Sequence, residues 1–178
     1  MKNIVLIGFM GTGKSTVSRF LAGKLNRRYI DTDREIERLI GKTVARIISD
    51  YGMIRFRSEE ALLVRKLAAE EDLVIATGGG TLLDPENYRL LRQSGILVCL
   101  TASPEVIYNR VKRKKNNRPL LAKGDLMEQI TKLSEERREL YRRVDFTVDT
   151  GGGSLEETVN SIVDYIKRSN TSASIGVD

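Results

Sequence analysis

Five short runs of the chain are continuously apolar or nearly so: Ile4–Ile7, Tyr29–Asp31, Leu73–Ala76, Ile96–Leu100 and Phe146–Asp149. Runs of that length without alternation suit strands buried on both faces, as in a parallel sheet. Between them the apolar positions recur every three or four residues, predicting helices over Ser15–Leu25, Arg55–Ala69, Pro85–Gln93, Pro104–Lys112, Asp125–Arg142 and Leu155–Lys167. Ser103-Pro104-Glu105 is a helix start, with a hydroxyl cap and proline in the first turn. Strand and helix alternate throughout, which predicts an α/β fold with five parallel strands and helices on both sheet faces. Ligands of such folds gather at the carboxyl ends of the strands.

Two segments break the rhythm. Residues 33–70 are almost wholly helical, longer than one crossover between strands needs, so they form a helical insertion. Residues 112–124 are polar with weak periodicity and predict a mobile lid joining two helices. The small, polar residues 169–178 predict a disordered tail after a single domain spanning 1–168.

Charge changes the picture less than its size suggests. The net charge is +6, but Arg110, Lys112, Arg113, Lys114, Lys115 and Arg118 place six positive groups within nine residues and leave the rest of the chain neutral. That is one local patch without an aromatic residue for base stacking, so no nucleic-acid partner is expected. No run is long enough to span a membrane, and Met1-Lys2-Asn3 leads directly into a strand, so neither membrane nor secretion is expected. The single Cys99 lies in an apolar run and reads as a small core residue. A cytoplasmic monomer is the expected state.

Candidate chemistry begins at Gly8-Phe9-Met10-Gly11-Thr12-Gly13-Lys14-Ser15, which fits G-x-x-x-x-G-K-[ST] after a strand and opening a helix. Gly11, Thr12 and Gly13 would turn backbone N–H groups around a β-phosphate, with Thr16 in the first helical turn beneath them. Lys14 would reach the β/γ-phosphates of ATP, and Ser15 would offer a hydroxyl to Mg2+. The second strand ends in Asp31-Thr32-Asp33. If the strand continued, residues two apart would share a side, so both carboxylates could face the cleft, one nearer the metal and one nearer an acceptor. Helix capping by Asp33 is the plain alternative. Gly78-Gly79-Gly80, three glycines after the third strand, favour close backbone approach to a ligand over a simple turn.

The series GFMGTGKST, DTD, Phe56-Arg57, Thr77-Gly78-Gly79-Gly80, Arg118-Pro119-Leu120-Leu121 and Arg137 in RRELY resembles shikimate kinase in order and spacing, from about Ile4 to Lys167. The resemblance implies a P-loop kinase that moves the γ-phosphate of ATP to the 3-hydroxyl of shikimate with Mg2+, a step towards chorismate and the aromatic amino acids. Residues 33–70 would then be the substrate-binding helices. By the same resemblance Asp33 contacts the acceptor hydroxyls and Asp31 joins Ser15 at the metal. Arg57 and Arg137 bind the acceptor carboxylate. Gly79 and Gly80 present backbone N–H groups, Arg118 in the lid contacts ATP, and Arg110 and Gly153 flank the adenine. Lys14, Asp33 and Arg118 would be the catalytic groups. The chain departs from the family pattern at Ile48, where an aromatic is common, and at Met53 in place of a glutamate. It carries about one extra lid residue between Arg110 and Arg118 and has Thr150-Gly151-Gly152-Gly153 in the adenine loop, where a proline is common. A kinase for gluconate or a nucleoside monophosphate is the alternative enzyme, disfavoured by the two-arginine clamp and RPLL. A silent sensing module is disfavoured because no member of the chemical set is missing.

Overall fold

The computed structural model describes residues 1–113 and 125–174. Its five strands are β1 (Asn3–Gly8), β2 (Arg28–Asp31), β3 (Leu73–Ala76), β4 (Gly95–Thr101) and β5 (Phe146–Asp149). They pair in the order β2-β3-β1-β4-β5, all parallel. The helices are α1 (Lys14–Leu25), α2 (Thr32–Ile40), α3 (Val44–Ala68), α4 (Pro85–Ser94), α5 (Pro104–Arg113), α6 (Leu126–Glu136), α7 (Arg138–Arg142) and α8 (Leu155–Ser174), with one 3-10 turn at Thr81–Leu83. The five-stranded parallel architecture read from the sequence is therefore present.

The central strands are apolar on both sides because each side meets a different layer. Val5 and Ile7 of β1, Leu73 and Ile75 of β3, and Leu97 and Cys99 of β4 face a core shared with α2, α3 and α4. Their neighbours Ile4, Leu6, Val74, Val98 and Leu100 face a second core shared with α1 and α8. The period-two alternation of strands thus sorts a continuous apolar run into two cores. Cys99 is fully buried, and burial pushes its thiol up to about 11, which fits a packing residue. A smaller cluster of Phe9, Ile107, Val111 and Ile130 joins the loop after β1 to α5 and α6.

Three helical boundaries differ from the periodicity. α3 is one long element in hydrogen bonding but is broken at Gly52, where φ 84 and ψ 164 turn the chain out of the helix. Hydrophobic spacing alone does not register one such residue. The single helix expected over Asp125–Arg142 is two, α6 and α7, separated at Arg137 with φ −98 and ψ −1. The tail expected from residue 169 to be disordered continues α8 as far as Ser174, since its small polar residues carry no helix breaker. Of the lid expected over 112–124, Lys112 and Arg113 instead end α5, and 114–124, including Arg118, lie outside the described residues, as do 175–178. No helix among the described residues is long and apolar enough to cross a membrane.

The start of β1 is tied to the α3–β3 junction by one fully buried side chain. The Asn3 amide donates to Leu67 O at 3.3 Å and Glu70 O at 2.8 Å, and its oxygen accepts from Leu73 N at 3.0 Å. Asn3→Leu keeps the branched shape of the side chain and strands these backbone groups in the interior. It should cost about 3 kcal/mol and lower the thermal midpoint by roughly 6–12 °C, as read by circular dichroism.

Candidate active site

The loop after β1 closes directly onto α1. Gly13 is the N-cap of α1 with φ 95, a conformation glycine adopts freely, and no side chain caps the helix there. The first N–H groups of α1 are therefore left for a ligand, and an anion is the natural one. Lys14 Nζ lies across the loop, donating to Gly8 O and Phe9 O at 2.8 Å each. Thr12 Oγ1 braces the loop from inside by donating to Phe9 O at 2.8 Å.

A second element holds the loop from outside. Arg110, on α5, donates to Gly11 O at 3.3 Å, to Thr150 Oγ1 at 2.9 Å and to Thr150 O at 2.5 Å. The Thr150 hydroxyl lies 2.9 Å from Thr12 O and 3.0 Å from Thr101 O. Arg110 and Gly153 both line the nucleotide end of the cleft, but the Arg110 guanidinium is already committed to these oxygens. Thr150 is read from the sequence only as part of the adenine loop, with no contact assigned to it. Its role depends on β5 lying beside β4, which only the folded sheet reveals.

Asp31 and Asp33 do reach one cleft, though not by strand alternation. β2 ends at Asp31, whose Oδ1 accepts from Arg34 N at 3.3 Å and caps α2. The capping considered for Asp33 thus belongs to Asp31, and Asp33 sits in the first turn of α2. Asp31 Oδ2 accepts from Ser15 Oγ at 2.6 Å and from Tyr29 Oη at 3.2 Å. A hydroxyl and a carboxylate in contact at the foot of a phosphate loop suit a hard cation. Among the described residues no group of three or more His, Cys, Asp or Glu could hold a metal, so such a cation would take its other ligands from water and phosphate.

Asp33 is half-buried, and its Oδ1 is shielded from solvent with no hydrogen-bond partner among the described residues. Burial first, then the negative charges of Asp31 and Glu60, push its carboxyl up to about 6, against the opposing pull of Lys14. Glu60, 1% exposed, accepts from Arg57 Nη1 at 2.5 Å and from Thr81 Oγ1 at 2.5 Å. Arg57 is thereby held in one orientation at the wall of the cleft. A Cβ on Gly80 would run into the Arg57 guanidinium, 3.0 Å from its Cζ, so only glycine lets the arginine lie flat against this loop.

Arg137 comes from the break between α6 and α7 and is 6% exposed. Its Nη1 donates to Gly79 O at 2.9 Å, and its guanidinium lies 5.6 Å from the Phe9 ring centroid. The helix break explains how a residue expected on a continuous helix turns into the cleft. By contrast, Arg138 and Arg142 pair with Glu135 and Glu139 at the surface, at 2.9 and 2.6 Å.

All these groups share one open cavity of about 940 Å3. Its nucleotide end holds residues 11–16, Arg110, Thr150 and Gly153; its other end holds Asp33, Arg57, Gly79, Gly80 and Arg137. The wall facing those charges is apolar, built by Val44, Ile48, Met53 and Phe56. One end can seat a polyphosphate, and the other a small anion with hydroxyl groups and a greasy face. Every site residue expected from the sequence lines this cavity except Arg118, which lies outside the described residues.

The raised carboxyl of Asp33 has a stability consequence. Between its ordinary value of 3.8 and about 6 the folded protein holds a proton that the unfolded chain has released. Stability contributed by this group therefore falls as pH rises through that window. Asp33→Asn removes the buried charge and should stabilise the fold at about pH 7.5 by roughly 2 kcal/mol. The advantage should vanish below about pH 4, which thermal denaturation across pH would show.

The geometry has close relatives. A family model described as "Shikimate kinase" matches residues 10–167. A shikimate kinase of Pelotomaculum thermopropionicum is 61% identical over 96% of this chain and 98% of its own length. One from Desulforudis audaxviator is 56% identical over 94% of this chain and 87% of its own. The solved shikimate kinase from Acinetobacter baumannii in complex with shikimate superposes with a TM-score of 0.90 at 36% identity, covering 95% of this chain and 94% of that one. With phosphate loop, paired aspartates and two inward arginines all in one cleft, the chain belongs to the shikimate kinase family of ATP-dependent kinases.

Proposed function

We propose that this protein transfers the γ-phosphate of ATP to the 3-hydroxyl of shikimate, using Mg2+. The observation that carries the reading is the polarity of one cavity: a phosphate loop at one end, and at the other the half-buried Asp33 carboxylate with two held arginines.

Phosphoryl transfer passes through a loose transition state, so positioning and charge neutralisation do most of the work. The N–H groups at the start of α1 and the ammonium of Lys14 would hold the β- and γ-phosphates, Lys14 exchanging its loop carbonyls for phosphate oxygens. Ser15 and Asp31 would hold the cation, which when bound neutralises phosphate charge. Arg57 and Arg137 would grip the acceptor carboxylate from two elements, a task for which the planar guanidinium fork is suited. The Gly80 N–H and the Asp33 carboxylate would fix the acceptor hydroxyl, and Asp33 would take its proton as the bond to phosphorus forms. Ionised above about pH 6, Asp33 can do this at neutral pH without first losing a proton. Arg110 would set the floor of the adenine slot through Thr150, with Gly153 opposite. Arg118 is assigned to the transferring phosphate by family resemblance alone.

A coupled ADP-release assay tests the reading across shikimate, gluconate and nucleoside monophosphates. ADP release should depend on shikimate; stimulation by gluconate instead would reverse the acceptor assignment. Asp33→Asn should bind ATP normally and lose about 10²- to 10⁴-fold in turnover. Arg137→Ala should raise the shikimate KM on the order of 100-fold and leave the ATP KM unchanged. For the wild type, kcat/KM should fall with decreasing pH below about 6, as Asp33 becomes protonated.

A further inference from the structure

The Tyr141 hydroxyl, at the end of the RRELY motif, donates to Gly79 O at 2.8 Å. Arg137 donates to the same oxygen at 2.9 Å. The two donors arrive from different sides. Arg137 lines the substrate cavity, whereas Tyr141 lines a separate hollow of about 330 Å3 behind the phosphate loop. The Tyr141 ring packs against both the α3–α4 core and the Phe9 cluster, so its position is fixed by apolar contacts on two sides. Burial pushes its phenol up to about 12, so it remains a donor at any pH the enzyme meets.

Arg137 reaches Gly79 O through Nη1 alone, so its other N–H groups can meet a carboxylate, and any pivot that brings them to one disturbs the bond to Gly79 O. In a planar trans peptide the Gly79 carbonyl and the Gly80 N–H point in opposite directions. A peptide free to rotate about its flanking glycine bonds would lose the direction of that N–H when Arg137 turned away. We infer that Tyr141 is a positioning residue for the acceptor: it holds the Gly79 carbonyl, and so aims the Gly80 N–H, while Arg137 is engaged by the acceptor carboxylate. This rests on the carboxylate role given to Arg137 above.

Tyr141→Phe removes one hydroxyl and keeps the ring. The shikimate KM should rise about five- to tenfold, the scale of one lost hydrogen bond, with the ATP KM and the thermal midpoint nearly unchanged. An unaltered shikimate KM overturns the inference. So does a parallel rise of both KM values with a lowered midpoint, which marks a residue that only supports the fold. Arg137→Ala measured alongside separates the two readings. If Arg137→Ala raises the shikimate KM and Tyr141→Phe does not, only the positioning role fails. If Arg137→Ala leaves that KM untouched, the carboxylate grip fails and this inference falls with it.

Discussion

Of the four carboxylates that line one cleft, Asp31, Asp33 and Glu60 are the most strongly opposed, with Glu37 a smaller contributor, and their mutual repulsion constrains the residues around them. Two of those three are discharged by partners. Asp31 takes hydrogen bonds from Ser15, Tyr29 and the backbone of Arg34, and Glu60 takes them from Arg57 and Thr81. Asp33 is left with one oxygen lacking any partner among the described residues. A buried acceptor without a donor destabilises the fold, a cost that is tolerated where a carboxylate must stay open to a substrate hydroxyl. The strand order brings this about. β3 lies between β1 and β2, and the register of Asp31 with Ala76 sets the paired aspartates beside the glycine loop that follows β3.

The same logic sorts the arginines. Three that line the cleft are held before any ligand arrives, Arg57 by Glu60, Arg137 by Gly79 O and Arg110 by Thr150. Holding a long side chain in advance lowers the entropy lost on binding. Arg57 is the instructive case, because Glu60 is almost wholly buried and would be costly if left alone. The ion pair therefore serves two ends: it neutralises the glutamate and fixes the guanidinium that a carboxylate would meet. The exposed pairs of Arg138 and Arg142 add little, being screened by solvent.

What could be read from the sequence was what depends on neighbours along the chain. The five strands were legible because each is an apolar run between turn residues, and the phosphate loop because its glycines, lysine and serine are consecutive. The paired aspartates were found for an incomplete reason: a strand was assumed to continue where Asp31 in fact starts a helix. The contacts of Tyr29 and Thr150 were missed because their partners, Asp31 and Arg110, meet them only through sheet geometry and tertiary packing. Tyr141 stood inside a recognised motif, yet nothing local tells a tyrosine that packs from one that aims a peptide. The break at Arg137 escaped for a related reason, since its backbone angles barely leave the helical region while its side chain is drawn inward by Gly79.

That glycine loop is where sequence and structure pull in opposite directions. Three glycines in a row have more backbone freedom to lose than any other tripeptide, and alone they would be loose. Here the three carbonyls and the first N–H are taken, Gly80 O by Leu83 N at 3.0 Å. Gly78 N donates to Thr32 Oγ1 at 3.0 Å, Gly78 O lies 3.1 Å from Thr81 Oγ1, and Gly79 O accepts from Arg137 and Tyr141. A Cβ on Gly78 would meet Asp33 Oδ1 at 2.7 Å, and one on Gly80 would strike Arg57. Glycine serves here because the Asp33 carboxylate and the Arg57 guanidinium occupy the space a side chain would need. The freedom it brings is then removed by donors and acceptors on α2, α7 and the 3-10 turn. That end of the cleft is thus a rigid wall made of the least rigid residue, held in part by Thr32, Thr81 and Tyr141, side chains that do not themselves line the cavity.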